Sequence, residues 1–191
     1  MEALIATAIS AVALLGLNAM QLQANRSIQD SGNRSQAIWM LEDLRNRILT
    51  NYTAIQNYDT AGAFVDCNVV PVVMCSAFHD GTDPVGAAQC TPQQTALHDL
   101  WDVACSWQIP QAGFDVSRSA PSDFVVDPRV SVDLDPLGLI NNRETYAVTL
   151  TVDWVSRSKG RTDNNQTVYN TQSGQLSELR DSATLDFWIT E

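Results

Sequence analysis

The sequence predicts an α+β protein: a long N-terminal helix, apolar in its first half and amphipathic in its second, packed on an antiparallel β-sheet head. Three observations carry this expectation. No charged residue lies between Glu2 and Arg26. Apolar residues at helical spacing then continue to Ile48. Alternating apolar residues fill the C-terminal part, most clearly Tyr146, Val148, Leu150, Val152 and Trp154.

The 191 residues suit one globular domain plus an extended element. As a helix, the uncharged opening is about 35 Å long, more than a bilayer's hydrocarbon core of about 30 Å. Its most apolar stretch, Ala3 to Met20, is at the short end of a spanning length. A buried core helix and an uncleaved signal peptide are the rivals. A signal peptide opens with basic residues and has a shorter apolar region. Here the start is acidic and helical spacing outlasts the apolar part, so a membrane-competent helix is the expectation.

Past Met20 the composition turns polar. Ile28, Ile38, Leu41, Leu44 and Ile48 recur at helical intervals, opposite Gln29, Arg34, Gln36, Asp43, Arg45 and Asn46. Glu42 can meet Arg45, and Asp43 can meet Arg47, one turn on. Good helix formers fill the stretch. The expectation is one helix from Met1 to about Tyr52, with residues 1–23 membrane-spanning, residues 24–53 packed on the head, and residues 54–191 forming it. Gly16 and Gly32 lie inside this helix, each costing about 1 kcal/mol relative to alanine. Tolerated weakness, close helix packing and local bending all remain open for them.

After Thr53 the periodicity breaks. The run from Val65 to Cys75 has room for a short strand interrupted by Pro71, and Ser76 to Gln89 reads as loop. Thr91, Pro92 and Gln94 spell a helix start: N-cap, first helical residue and capping-box partner. Leu97, Leu100, Trp101, Ala104 and Cys105 form the inner face of that helix, which Pro110 and Gly113 end. Strand candidates follow at Phe124–Val126, at Val130, Val132 and Leu134, at Tyr146–Trp154, and at Leu185, Phe187 and Ile189. Asp127-Pro128 and Asp135-Pro136 mark turns, and the polar run from Ser156 to Gln166 a loop.

Cys67, Cys75, Cys90 and Cys105 suggest two disulfides in an oxidising compartment, with three connectivities open. No pair has the two-residue spacing that zinc sites favour. The net charge of −11 argues against bulk nucleic-acid binding, which needs a cationic face, and is what keeps an extracytoplasmic head soluble. Asp127, Asp133 and Asp135, and Asp80 with Asp83, invite a calcium reading, but neither group fits a recognised calcium loop, and turn aspartates are the expectation. No cofactor is expected.

No catalytic constellation is present. His79 and His98 are the two histidines; His98 and Asp99, adjacent on a helix, point about 100° apart. There is no serine elbow, HExxH or P-loop. The chain is therefore read as a non-enzyme, with His98 at a surface or interface. Trp39, Trp101, Trp107, Trp154 and Trp188 are expected in the core or in helix contacts.

Met1-Glu2-Ala3-Leu4-Ile5-Ala6 resembles the start of type IV pilins, where a lone glutamate precedes a long apolar helix. Ala13-Leu14-Leu15-Gly16-Leu17, then Ser35-Gln36-Ala37 through Glu42-Asp43-Leu44-Arg45-Asn46-Arg47, resemble minor pilins of the PilV type. His98-Asp99-Leu100-Trp101, Ile109-Pro110 and Val152-Asp153-Trp154 are scattered landmarks similar to the heads of that group. Pilin precursors carry a short basic leader ending in glycine. Neither precedes Glu2 here, so this sequence is expected to begin just inside the mature protein, or else Met1 is itself the mature terminus at an unusual spacing.

The resemblance implies a subunit held in the bacterial inner membrane and then assembled with other pilin subunits into an extracellular filament. It also implies partners in the assembly machinery and a prepilin peptidase. Glu2 would pair with the terminal amine of a neighbouring subunit and so set axial register, because a mismatched subunit buries an unpaired charge. Leu4, Ile5, Ile9, Val12, Leu14 and Leu15 would pack in the filament core, and Gly16 would supply helix flexibility. Adhesion, motility or DNA uptake would be the outcome, as a minor or major pilin. A type II secretion pseudopilin and a membrane-anchored binding protein that never polymerises are the alternatives.

Overall fold

The computed structural model describes residues 2–79, 84–105, 125, 127–156, 160–163, 166–169 and 180–190. Helix α1 spans Glu2–Thr50 and a 3-10 turn Tyr52–Tyr58 follows. Then come β1 (Phe78–His79), β2 (Pro84–Val85), α2 (Pro92–Cys105), β3 (Arg129–Ile140) and β4 (Arg143–Val155). The last elements are β5 (Gly160–Asp163), β6 (Gln166–Tyr169) and β7 (Arg180–Thr190). This is an α+β architecture, a long N-terminal helix with a three-stranded antiparallel sheet. α1 runs unbroken through Gly16 and Gly32, around which there is open space.

The chain divides into two compact units. The first comprises Met1–Gly32 and Ser156–Arg180. It holds the apolar half of α1 and the antiparallel pair β5–β6. The polar run read as loop thus contains β5 and the first residue of β6. No apolar alternation marks it, because the pairing is a backbone ladder. Within this unit Ser156 Oγ donates to Asp30 Oδ2 at 2.8 Å.

The second unit comprises Asn33–Val155 and Asp181–Glu191 and contains the core. Ala37, Met40, Leu41, Leu44 and Ile48 bury one face of α1. Val130 and Val132 of β3, and Val148, Leu150, Val152 and Trp154 of β4, join the same cluster. So do Leu100, Trp101, Val103 and Ala104 of α2. The buried stripe differs from the expected one. Ile28 is 68% exposed and Ile38 48% exposed, while the small Ala37, about 100° round the helix from Ile38, is inside. On α2, Leu97 is exposed and Ala96 takes the inward place.

The helix start at Thr91 has the geometry its residues encode. Gln94 N–H donates to Thr91 Oγ1 at 3.3 Å, and Thr91 N–H donates to Gln94 Oε1 at 2.9 Å. The sheet order is β3–β4–β7. Thr149 bonds Asp186 at 2.9 Å and Thr145 lies 3.5 Å from Thr190, so β4 and β7 run in opposite directions. Asn141 and Asn142, both at positive φ, close the β3–β4 hairpin.

Asp135-Pro136 does not end a strand. β3 passes through it, with Pro136 opposite Tyr146 and a register shift before Gly138 at φ 87°. Proline is tolerated there because β3 is an edge strand beside a bulge. The Val65–Cys75 run holds no strand. Only Phe64 bridges to Ser131, and Val65 N–H donates to Val130 O at 2.8 Å. The stretch read as loop contains the two-residue pair β1–β2. Of the Phe124–Val126 candidate, Val125 is buried and its neighbours lie outside the described residues, as do Trp107, Pro110 and Gly113.

Candidate assembly helix

Among the described residues, the first half of α1 presents a long, exposed apolar surface. Its most apolar window has a mean hydropathy of 2.0, and none of it is buried by the rest of the chain. Leu4, Ile5, Ile9, Val12, Leu14 and Leu15 are between 60% and 73% exposed. The two hydroxyls of the segment are satisfied within the helix. Thr7 Oγ1 donates to Leu4 O at 3.0 Å and Ser10 Oγ donates to Ala6 O at 2.9 Å. Their polarity is thereby masked, as a helix in lipid or among other helices requires. By length and composition the helix can cross a membrane. Glu2 opens α1; its side chain lies outside the described groups.

The second half of α1 is tied to α2 by a polar cluster. Arg47 Nε donates to Asp43 at 2.9 Å, and its Nη1 donates to Asp102 at 2.9 Å and Asp99 at 3.2 Å. Burial opposes the guanidinium charge, but Asp102, Asp43 and Asp99 outweigh it, and the Arg47 pKa is raised. Tyr58 Oη donates to Asp99 Oδ2 at 2.7 Å. Asn51 Nδ2 donates to Pro92 O at 2.7 Å and to Tyr58 Oη at 3.3 Å. Arg45 meets Glu42 at 3.3 Å. Sequence reasoning found the two pairs within α1 and missed Tyr58, Asn51, Asp99 and Asp102. Asp99 and Asp102 are three apart, hence on one face of α2, and Arg47 lies in the last turn of α1, but nothing local pairs the two helices.

Both disulfides anchor α2. Cys67 bonds Cys105, the last residue of α2, with Cα atoms 5.2 Å apart. Cys75 bonds Cys90, just before the cap, with Cα atoms 5.7 Å apart. Of the three connectivities this is the nested one.

Other candidates are placed differently from their sequence reading. His98 is buried, not at a surface, and its Nε2 lies 3.3 Å from Ser76 Oγ, because α2 turns this position inward. Trp101 and Trp154 are core residues, but Trp39 and Trp188 are 71% and 78% exposed. Trp39 sits off the buried stripe of α1, and Trp188 is on the outer face of β7. Among the described residues no group of three or more His, Cys, Asp or Glu side chains could hold a metal ion; Asp80 and Asp83 lie outside them.

An N-terminal helix of 49 residues whose second half packs on an antiparallel sheet is consistent with an α+β type IV pilin fold. Residues 19–101 match the model of the Tt1218-like family, described as "Type IV pilin Tt1218", which is less than half of the chain. The match covers the amphipathic half of α1, three of the four cysteines and most of α2. It supports a pilin-like structural subunit, non-catalytic and assembling with other pilin subunits, and not the PilV-type subgroup in particular. No curated protein and no solved structure matches the chain.

Proposed function

We propose that this chain is a structural subunit of a type IV pilus-like filament, a minor or major pilin, stored in a bacterial inner membrane by the first half of α1. The observation that carries this is the apolar window of α1, exposed along its length and buried by nothing in its own chain. At about 25 cal/mol per Å² of apolar surface, leaving such a helix in water is unfavourable by many kcal/mol. Lipid covers it before assembly, and equivalent helices of neighbouring subunits cover it afterwards. Ala6, Ala13 and Gly16 allow those helices to approach closely. Glu2 pairs with a neighbour's terminal amine, since a lone carboxylate in the water-free fibre core is costly.

The test is to shear surface fibres from cells making the tagged protein and quantify it by mass spectrometry. Sparse incorporation supports a minor pilin, and abundance a major one. Retention in the envelope with none in the fibres overturns the proposal in favour of a pseudopilin or a non-polymerising anchored protein.

A further inference from the structure

Among the described residues β7 is an edge of the sheet, since the order β3–β4–β7 puts β4 on one side and no strand on the other. Such an edge presents backbone N–H and C=O groups in the spacing that an extended segment matches. β7 runs eleven residues with no proline, glycine or lysine, and its inward-facing charge is confined to Asp181 at its start. The opposite edge is different. Thr60 and Gly62 donate to Val132 O and Val65 donates to Val130 O, so a loop covers the start of β3. Pro136 and the bulge interrupt the remainder.

Side-chain burial points the same way. The inward residues Val148, Leu150 and Val152 of central β4 are fully buried. The inward residues Ala183, Leu185 and Phe187 of β7 are only half-buried. On α1, Ile38, Glu42, Arg45 and Leu49 share a face. Arg45 holds its guanidinium 5.6 Å from the Phe187 ring centre, which puts this face beside β7, and Ile38 and Leu49 on it are exposed. Two exposed apolar residues, with the Glu42–Arg45 ion pair between them, therefore lie beside the edge. On the other face of β7, Asp186 and Trp188 are exposed.

We propose that β7 takes up an extended segment of a partner protein as a fourth strand, with residues alternating apolar and basic. Its apolar side chains cover Leu185 and Phe187 beside Ile38. Its basic side chains meet the Asp186 carboxylate and the face of Trp188. A second copy of β7 is a poor occupant, because only Arg180 among its eleven residues is basic and the chain carries a net charge of −11.

The test uses the full chain in detergent micelles and a synthetic ten-residue peptide alternating valine and lysine. A second peptide of the same sequence and charge has every backbone N–H methylated. Amide hydrogen exchange is followed residue by residue. Addition of the first peptide is expected to slow alternate amides of β7 by roughly tenfold or more. The methylated peptide should not do so, and Asp186→Lys should weaken binding of the first by about twofold to fivefold. Absence of protection at β7, or equal binding of both peptides through charge alone, overturns the proposal.

Discussion

Tyr58 donates its hydroxyl to Asp99 across 2.7 Å and so joins the turn that follows α1 to the middle of α2. Burial first, and the bond to Asp99 second, push the phenol pKa well above its ordinary value of about 10. A raised folded-state pKa gives stability that is complete below the unfolded value and lost as pH rises towards the folded one. Between these limits the unfolded chain releases a proton that the folded chain keeps. Unfolding free energy should therefore fall above pH 10 by about 1.4 kcal/mol per pH unit from this group. Tyr58→Phe should remove that slope, and at neutral pH should cost about 1–2 kcal/mol. Urea unfolding at several pH values checks both.

Arg47 is the cation shared by three carboxylates, two of them on α2. Arg47→Met keeps the stem's packing and leaves Asp99 and Asp102 facing each other without a counter-charge. The expected cost is about 2–4 kcal/mol, set below the largest buried-pair values because the cluster is partly open to water. Denaturation of the variant and of its pairing with Asp102→Asn would show the coupling: the second change should restore part of the loss.

The two disulfides close loops with sequence separations of 38 and 15. By chain entropy, replacing Cys67 and Cys105 with serine should cost about 4 kcal/mol, and replacing Cys75 and Cys90 about 3 kcal/mol. Calorimetry of the two double variants gives the order directly.

Thr91→Ala removes the acceptor for the Gln94 N–H at the start of α2 and should destabilise the head by about 1 kcal/mol. Since Cys90 adjoins the cap, the same change should speed reduction of Cys75–Cys90 by mild thiol, measured by alkylation and mass spectrometry.

Glu2→Ala should leave the unfolding of the head unchanged and lower recovery of the protein in sheared fibres at least several-fold, because the pairing is expected only between subunits. Normal recovery would count against that role for Glu2.

Local signals made the elements legible. The charge-free run from Ala3 announced α1, Thr91-Pro92-Gln93-Gln94 announced α2, and alternation from Tyr146 to Trp154 announced β4. Periodicity could not say which neighbouring residues would lie at the rim of a stripe, so Ile38 and Leu97 were misplaced. Hydrophobicity alone put Trp39 and Trp188 inside, although both lie off the covered faces. The Arg47 cluster joins residues more than fifty apart, a distance that local pattern does not span. Disulfide pairing had the same limit: spacing gave three choices, and only the position of α2 beside Cys67 separates them.

The Cys67–Cys105 bond also governs how the head would behave under load. If the chain were pulled from its ends, the residues enclosed by that bond would add no length, withholding about 130 Å of extension at about 3.4 Å per residue. Force arriving along the backbone would bypass α2 through a covalent shunt. A stretched head would thus yield at its sheet and at the seam with α1, while the stapled loop kept its shape.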